Sequence, residues 1–143
     1  MNPTIEKFGW PATLVAETAH WLVLLRPAQP TLGSLVLAAK SDATAFADLP
    51  PAAFADLGEA VPRLEAMLCA AVAYDKLNYL MLMMVDPNVH YHVLPRYEGQ
   101  RAAHGLTLTD AGWPGQPALG DATTLTPDQI VTLRDWLKGH WPA

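Results

Sequence analysis

Within Pro87–Tyr97, PNVHYHVLPRY, the histidines His90 and His92 stand two residues apart among Val89, Tyr91, Val93 and Leu94. A run of β-branched and aromatic residues with this alternation reads as a strand. Side chains alternate across a strand, so Asn88, His90, His92 and Leu94 face one way and Val89, Tyr91 and Val93 the other. If the apolar row faces the core, an Asn-His-His row occupies the opposite face. Same-face neighbours lie about 6.6–7 Å apart along a strand. That spacing suits two groups acting on one phosphate, or two ligands of one metal ion. It also fits an exposed strand with titrating imidazoles and no further role. Imidazole has a particular aptitude for the first task. One nitrogen can be a neutral nucleophile near working pH while the other donates the hydrogen bond that fixes the tautomer.

A metal reading would need a third ligand, and Glu98 is the nearest oxygen donor downstream. Its spacing from His92 is wrong for a strand-borne metal motif of the cupin type, and the long helix described below does not belong in a small barrel. Other reactive residue types read as structural. Cys69 falls within an apolar helical pattern and is expected to be inert core. Met81, Met83 and Met84 are expected to be core filler. His20 and His140 flank tryptophans near element ends, and His104 lies in an irregular segment from which it could reach the site.

Several elements must position these residues. ATLVAET and HWLVLLRP read as two strands, and Ser34–Lys40 as a third. Ser41-Asp42 can cap a short helix over ATAFADL. Pro50-Pro51 opens a long helix in which Phe54, Leu57, Val61, Leu64 and Leu68 form an apolar stripe, with a bend expected near Gly58–Pro62. KLNYLMLMMV reads as a central strand of about ten residues covered on both faces, joined to the histidine strand by a tight Asp86-Pro87 turn. Residues 98–124 are rich in Gly, Pro and Ala and read as an irregular wrapping segment, with Trp113-Pro114 docking back. Thr126-Pro127-Asp128-Gln129 is a capping box that starts a final helix, staple residues Leu125 and Ile130 flank it, and Gly139 ends it. The sum is an α+β fold. About five mostly antiparallel strands carry one long crossover helix and a C-terminal helix, in one domain over 1–143 with its core at about 13–97 and its last helix at about 126–139.

Composition narrows the function. The 143 residues are 51% hydrophobic and 16% charged, enough for one domain with a real core. A net charge of −5 argues against a nucleic-acid polymer as partner but leaves room for a small anion held by local donors. One cysteine precludes an internal disulfide and fits a reducing cytoplasm. The N-terminus lacks a signal-peptide pattern, and the most apolar run is too short to cross a bilayer.

NVHYHVLPR resembles the signature of the histidine triad superfamily of nucleotide hydrolases and transferases, His-φ-His-φ-His-φ-φ followed by Pro-Arg. HWLVLLRPAQPTLGSLVLAAK is similar to that family's paired strands, and AFADLPPAAFADL to the segment leading into its long helix. The resemblance covers about Thr13–Tyr97. It implies that His90 attacks the α-phosphate of a nucleotide to form a nucleotidyl-histidine intermediate, which water or another acceptor resolves. His92 would place the phosphate and assist the leaving group, with no metal and no cofactor. It also implies a homodimer built through the long helix and the sheet edge.

The sequence departs from that pattern in three places. Asn88 holds the first triad position and cannot carry a proton. Ser34 follows Gly33 where the family usually has histidine, and the Asp86-Pro87 turn reads as short where related hydrolases have a longer loop. Asn88, Ser34 and Arg26 are the expected substrate-binding residues, with Asn88 and Ser34 both beside His90. Arg26 and Arg96 also fit a plain role at strand ends. Two functions stay open: a nucleotide hydrolase or nucleotidyl transferase using His90, and a catalytically weak or inactive module of the same fold that binds a nucleotide or phosphometabolite.

Overall fold

Trp21–Leu25 and Leu35–Ala39 are buried at every position, and they form the middle of a sheet. The computed structural model describes residues 1–143. In chain order its main elements are α1 (Pro3–Lys7), β1 (Leu14–Glu17), β2 (Trp21–Leu25), β3 (Ala28–Gln29), β4 (Leu35–Ala39), α2 (Pro51–Val72), β5 (Lys76–Leu80), β6 (His90–Arg96), β7 (Gln100–Ala103), β8 (Leu106–Thr109), β9 (Thr123–Thr124) and α3 (Pro127–Lys138). Five strands pair in the order β1-β2-β4-β6-β5, all antiparallel. The α+β architecture with a long crossover helix is therefore as the sequence implies, and no helix is long and apolar enough to cross a membrane.

Alternation divides the sheet into two faces. Trp21, Val23, Leu25, Leu35, Leu37, Ala39 and Val93 point towards α2 and α3 and join a cluster of 22 buried hydrophobic residues. Leu22, Leu24, Val36 and Ala38 point the other way and make a cluster of five with Ile5 of α1. β6 follows the same rule, with Tyr91 and Val93 packed in the larger cluster and His90 and His92 on the opposite face. The loop before β4 needs Gly33, whose φ of +87° is left-handed and whose added Cβ would come within 2.8 Å of Val72.

Several expectations are corrected. β5 is five residues long and lies at the sheet edge, half-exposed. The apolar run beyond Leu80 leaves the sheet as a loop over residues 81–89, so the connection to β6 is long and Asp86-Pro87 does not close a tight hairpin. Periodicity could not reveal this, because a run of apolar residues is consistent with a buried strand or with a loop that serves another purpose. Met84 is 86% exposed, while Met81 and Met83 pack against the core. Cys69 is exposed. It follows Leu68 by one position, so about 100° of helical rotation carries it off the buried stripe of Ala60, Leu64, Met67, Leu68 and Val72. Phe54 is likewise exposed at the outer end of that helix. α2 remains helical through Pro62, and the carbonyl that proline cannot serve belongs to the exposed Gly58. ATAFADL holds only a three-residue turn of 3-10 helix at Phe46–Asp48.

Residues 98–124 are more ordered than their composition implies. β7 and β8 form a hairpin turned by His104 and Gly105 at φ +50° and +80°, the left-handed pair of a two-residue turn. The buried Arg96 guanidinium donates to the Asp110 carboxylate at 2.7 Å and 3.2 Å and to Asn78 at 2.7 Å, tying this segment to β5 and β6. α3 has its full capping box, with Thr126 and Gln129 bonded reciprocally.

Candidate functional site

The histidine face is roofed by the chain's first ten residues. Asn2 caps α1 by accepting from the Ile5 amide, and Pro3 occupies its first turn. The Asn2 amide also donates to the carbonyls of Ala39 and Ser41, and Ile5 is fully buried on the sheet. Asn88 completes the attachment. Its carboxamide oxygen accepts from the Thr4 hydroxyl at 3.0 Å and the Thr4 amide at 3.4 Å, its own amide N–H donates to the Thr4 hydroxyl, and its side-chain nitrogen donates to the Asp42 carbonyl. A neutral group with both donors and an acceptor suits this position, where histidine could not reproduce the pattern.

Beneath that roof His90 is fully buried, with its Nδ1 2.7 Å from the Asn88 carbonyl oxygen. A carbonyl only accepts, so Nδ1 carries a proton, and in the neutral imidazole the lone pair is then on Nε2. That Nε2 is the one buried side-chain nitrogen or oxygen in the chain without a hydrogen-bond partner. An orphaned buried acceptor costs roughly 1–3 kcal/mol. His92 stands with its ring centroid 5.0 Å from that of His90. Its Nδ1 accepts from the Arg26 Nε–H at 3.4 Å, which leaves its own proton on Nε2. Burial, then the Arg26 charge and the neighbouring His90, push the His92 pKa down to about 4, so it is neutral at pH 7. Arg26 also donates to the Ala28 carbonyl, which aims the guanidinium.

Where β5 ends at Leu80, opposite His92, no residue of that strand continues beside His90. The diverging loop opens a cleft of about 560 Å³. Lys7, Phe8, Arg26 and His92 line one side of it, and Leu82, Met84, Val85 and Asp86 the other. A Lys7–Asp86 ion pair ties the two sides. Phe8 packs with its ring centroid 5.6 Å from both imidazoles, so Phe8 and His92 are the cleft-lining side chains that border His90.

The structure thus brings His90, His92 and Arg26 together. Asn88 adjoins them, but its side chain is committed to Thr4 and Asp42. Ser34 is not beside His90. His90 pairs with Ala38 and His92 with Val36, placing Ser34 four residues, about 13 Å, along β4 from the His90 register. Its hydroxyl is held within the preceding loop, donating to the Thr31 carbonyl. Arg96 and His104 also lie away from the cleft, His104 facing α3 beside Trp136. His90 and His92 have no third His, Cys, Asp or Glu that completes a metal-ligand group, and Glu98 is exposed. The residues not foreseen are Thr4, Lys7, Phe8 and the loop side chains. The Asn-Pro opening of α1 is a legible helix start; nothing local says that this helix covers a strand some 84 residues away.

Neither a protein-family model nor a curated protein matches the sequence. Solved structures do. A histidine triad protein from Sinorhizobium meliloti superposes with a TM-score of 0.74 at 20% identity, over 98% of this chain and 95% of that one. One from Bradyrhizobium japonicum gives 0.68 at 22% identity, over 90% and 89%. A hypothetical histidine triad nucleotide-binding protein from Sulfolobus tokodaii gives 0.70 at 17%, over 96% and 88%. The chain has the fold of histidine triad proteins.

Proposed function

We propose that this protein is a divergent histidine triad hydrolase or nucleotidyl transferase that acts at a nucleotide α-phosphate through His90. The observation that carries the reading is the His90 imidazole itself, its Nδ1 proton fixed by the Asn88 carbonyl and its Nε2 lone pair unpartnered. A nucleophile held in the right tautomer needs no further base to attack phosphorus. In the first step Nε2 forms a bond to the α-phosphorus while the bond from phosphorus to the leaving oxygen breaks. The leaving group departs with that electron pair and is protonated from solvent. Water then attacks phosphorus and loses a proton to solvent, the P–N bond breaks, and the lone pair returns to Nε2 as the nucleoside monophosphate leaves.

His92 offers its Nε2–H and Arg26 its unspent guanidinium N–H groups to the phosphoryl oxygens, donors that strengthen as charge builds there. The nucleotide-binding description of the Sulfolobus protein is consistent with such a ligand. Because His90 is fully buried, attack requires a covering side chain to move aside, and the neighbouring Phe8 ring is the candidate that the cleft exposes. Turnover of adenosine 5′-phosphate esters tests the reading. Wild-type protein should release adenosine monophosphate and His90→Ala should release none, with His92→Ala slower by about 10²–10⁴-fold. Equal release by wild type and His90→Ala would place the chemistry elsewhere.

A second reading has its own support. With Phe8 over His90 and Asn88 spent on α1, the same fold could hold a nucleotide or phosphometabolite at Arg26 and His92 without turnover. Binding without release of product in the same assay would select it.

The reading includes a two-fold dimer. An open groove of about 250 Å³ on the α2 side is lined by Leu37, Leu57, Val61, Tyr79 and Tyr91, with Phe46 and Phe54 exposed beside it and edge strand β5 adjoining. Light scattering should give a dimer mass at micromolar concentration, and a monomer mass would contradict it.

A further inference from the structure

Leu82, Met84 and Val85 are 48%, 86% and 83% exposed, and all three line the cleft beside His92. Exposed apolar side chains gathered at one place need a reason, since single ones scatter without consequence. The fold does not supply it. β5 has already ended at Leu80, and these residues take no part in sheet pairing. The opposite side of the cleft carries Arg26 and His92. One side therefore offers charge and N–H donors to an anion, and the side chains of the other offer no donor. Asp86, within the loop, is neutralised by its ion pair with Lys7, which also ties the loop to the end of α1. A polyphosphate or sugar in the outer part of this cleft would lie against three apolar side chains and find only backbone groups to bond. An alkyl or aryl group would bury apolar area there, and methionine is adaptable enough to follow its shape.

We infer that the cleft recognises phosphate esters whose leaving group is apolar, an alkyl chain or an aromatic ring, seated against Leu82, Met84 and Val85 while the phosphate sits at Arg26 and His92. The assignment rests on the proposed function only for the position of the phosphate. The step is the one already described: the phosphorus–oxygen bond to the apolar alcohol breaks, the alcohol leaves with the electron pair and a solvent proton, and water is the sole co-reactant.

The test uses the full chain and an alkyl series, in which the acidity of the leaving alcohol scarcely varies. Calorimetry compares methylphosphonate with hexylphosphonate, and turnover compares the methyl and hexyl esters of adenosine 5′-phosphate. Hexylphosphonate should bind wild type about tenfold or more tightly than methylphosphonate, the scale of two buried methylenes. The ester series should show the same preference in kcat/KM. In the Leu82→Ser, Met84→Ser, Val85→Ser protein the preference should vanish, with methylphosphonate affinity unchanged and an unaltered melting temperature confirming the fold. No turnover of either ester together with a preserved binding preference would remove the hydrolase reading and support this assignment. Equal affinity for the two phosphonates in wild type, or a preference that survives the triple substitution, would overturn it.

Discussion

The two faces of the sheet are built to opposite rules. On the α2 side 22 buried hydrophobic residues interlock under two helices. On the other side four buried hydrophobic residues of the sheet lie with Ile5 under a helix of five residues, beside Asn88, His90, His92 and Arg26. The first face can lose little without losing the fold, because a close-packed core gains from every methylene. The second is thinly covered, held by Ile5 and by the bonds of Asn2, Thr4 and Asn88, and it alone keeps a buried atom unsatisfied. Stability is concentrated on one side of β6 and chemistry on the other, and strand alternation is what separates them.

The largest expected effect of breaking that contrast comes from the helix side. Leu64→Ala, at a fully buried position, should cost about 2–5 kcal/mol in denaturant unfolding. The reactivity of any His90 adduct should be unchanged in the fraction that remains folded. A cost below 1 kcal/mol would mean that the helix face is not the main store of stability.

Acid should act on the other face. The unfolded chain protonates His92 near pH 6.5, whereas the folded protein resists until about pH 4. The His92 contribution is therefore complete above pH 6.5 and is lost as pH falls through that window. The loss amounts to about 3 kcal/mol at most. The difference between wild-type and His92→Gln unfolding curves from pH 7 to pH 4 measures it. A flat difference would contradict the neutral, Arg26-bonded state.

The clamp comes next. Asn88→His removes the carboxamide bonds to Thr4 and Asp42 and should cost about 1–3 kcal/mol without raising turnover. A gain in hydrolysis with no loss of stability would return Asn88 to the substrate site. The smallest effect is a matter of access. Phe8→Ala should speed carbethoxylation of His90 by about tenfold, the equivalent of some 1.4 kcal/mol, with little change in the melting curve. Equal protection in both proteins would mean that another group shields Nε2.

Much of this contrast is legible in the sequence. The alternation of Val89, Tyr91 and Val93 against His90 and His92 assigned both faces of β6, and Thr126–Gln129 announced α3, because both signals are local. What stayed hidden depended on contacts distant in sequence. Leu77–Val85 is apolar apart from Asn78, yet only its first part pairs, since the remainder borders a cleft and hydrophobicity does not distinguish a core from a ligand's wall. Ser34 lies four residues from Ala38, the partner of His90, and only the register of β4 on β6 reveals that separation. Cys69 lies one helical position off the buried stripe, a difference that apolar periodicity alone does not resolve. Phe8 and Thr4 could not be placed at all, because their partners lie more than 80 residues away.

The central claim is that His90 Nε2 is the atom that bonds to phosphorus. Rapid mixing of the protein with a chemically activated adenosine 5′-phosphate ester, a mild alkaline quench and peptide mass spectrometry test it directly. The account predicts one adenylyl group on the peptide containing His90, lost on brief exposure to acid as a phosphoramidate must be, and absent from His90→Gln. An adenylyl group on another residue, or full turnover by His90→Gln, would contradict it.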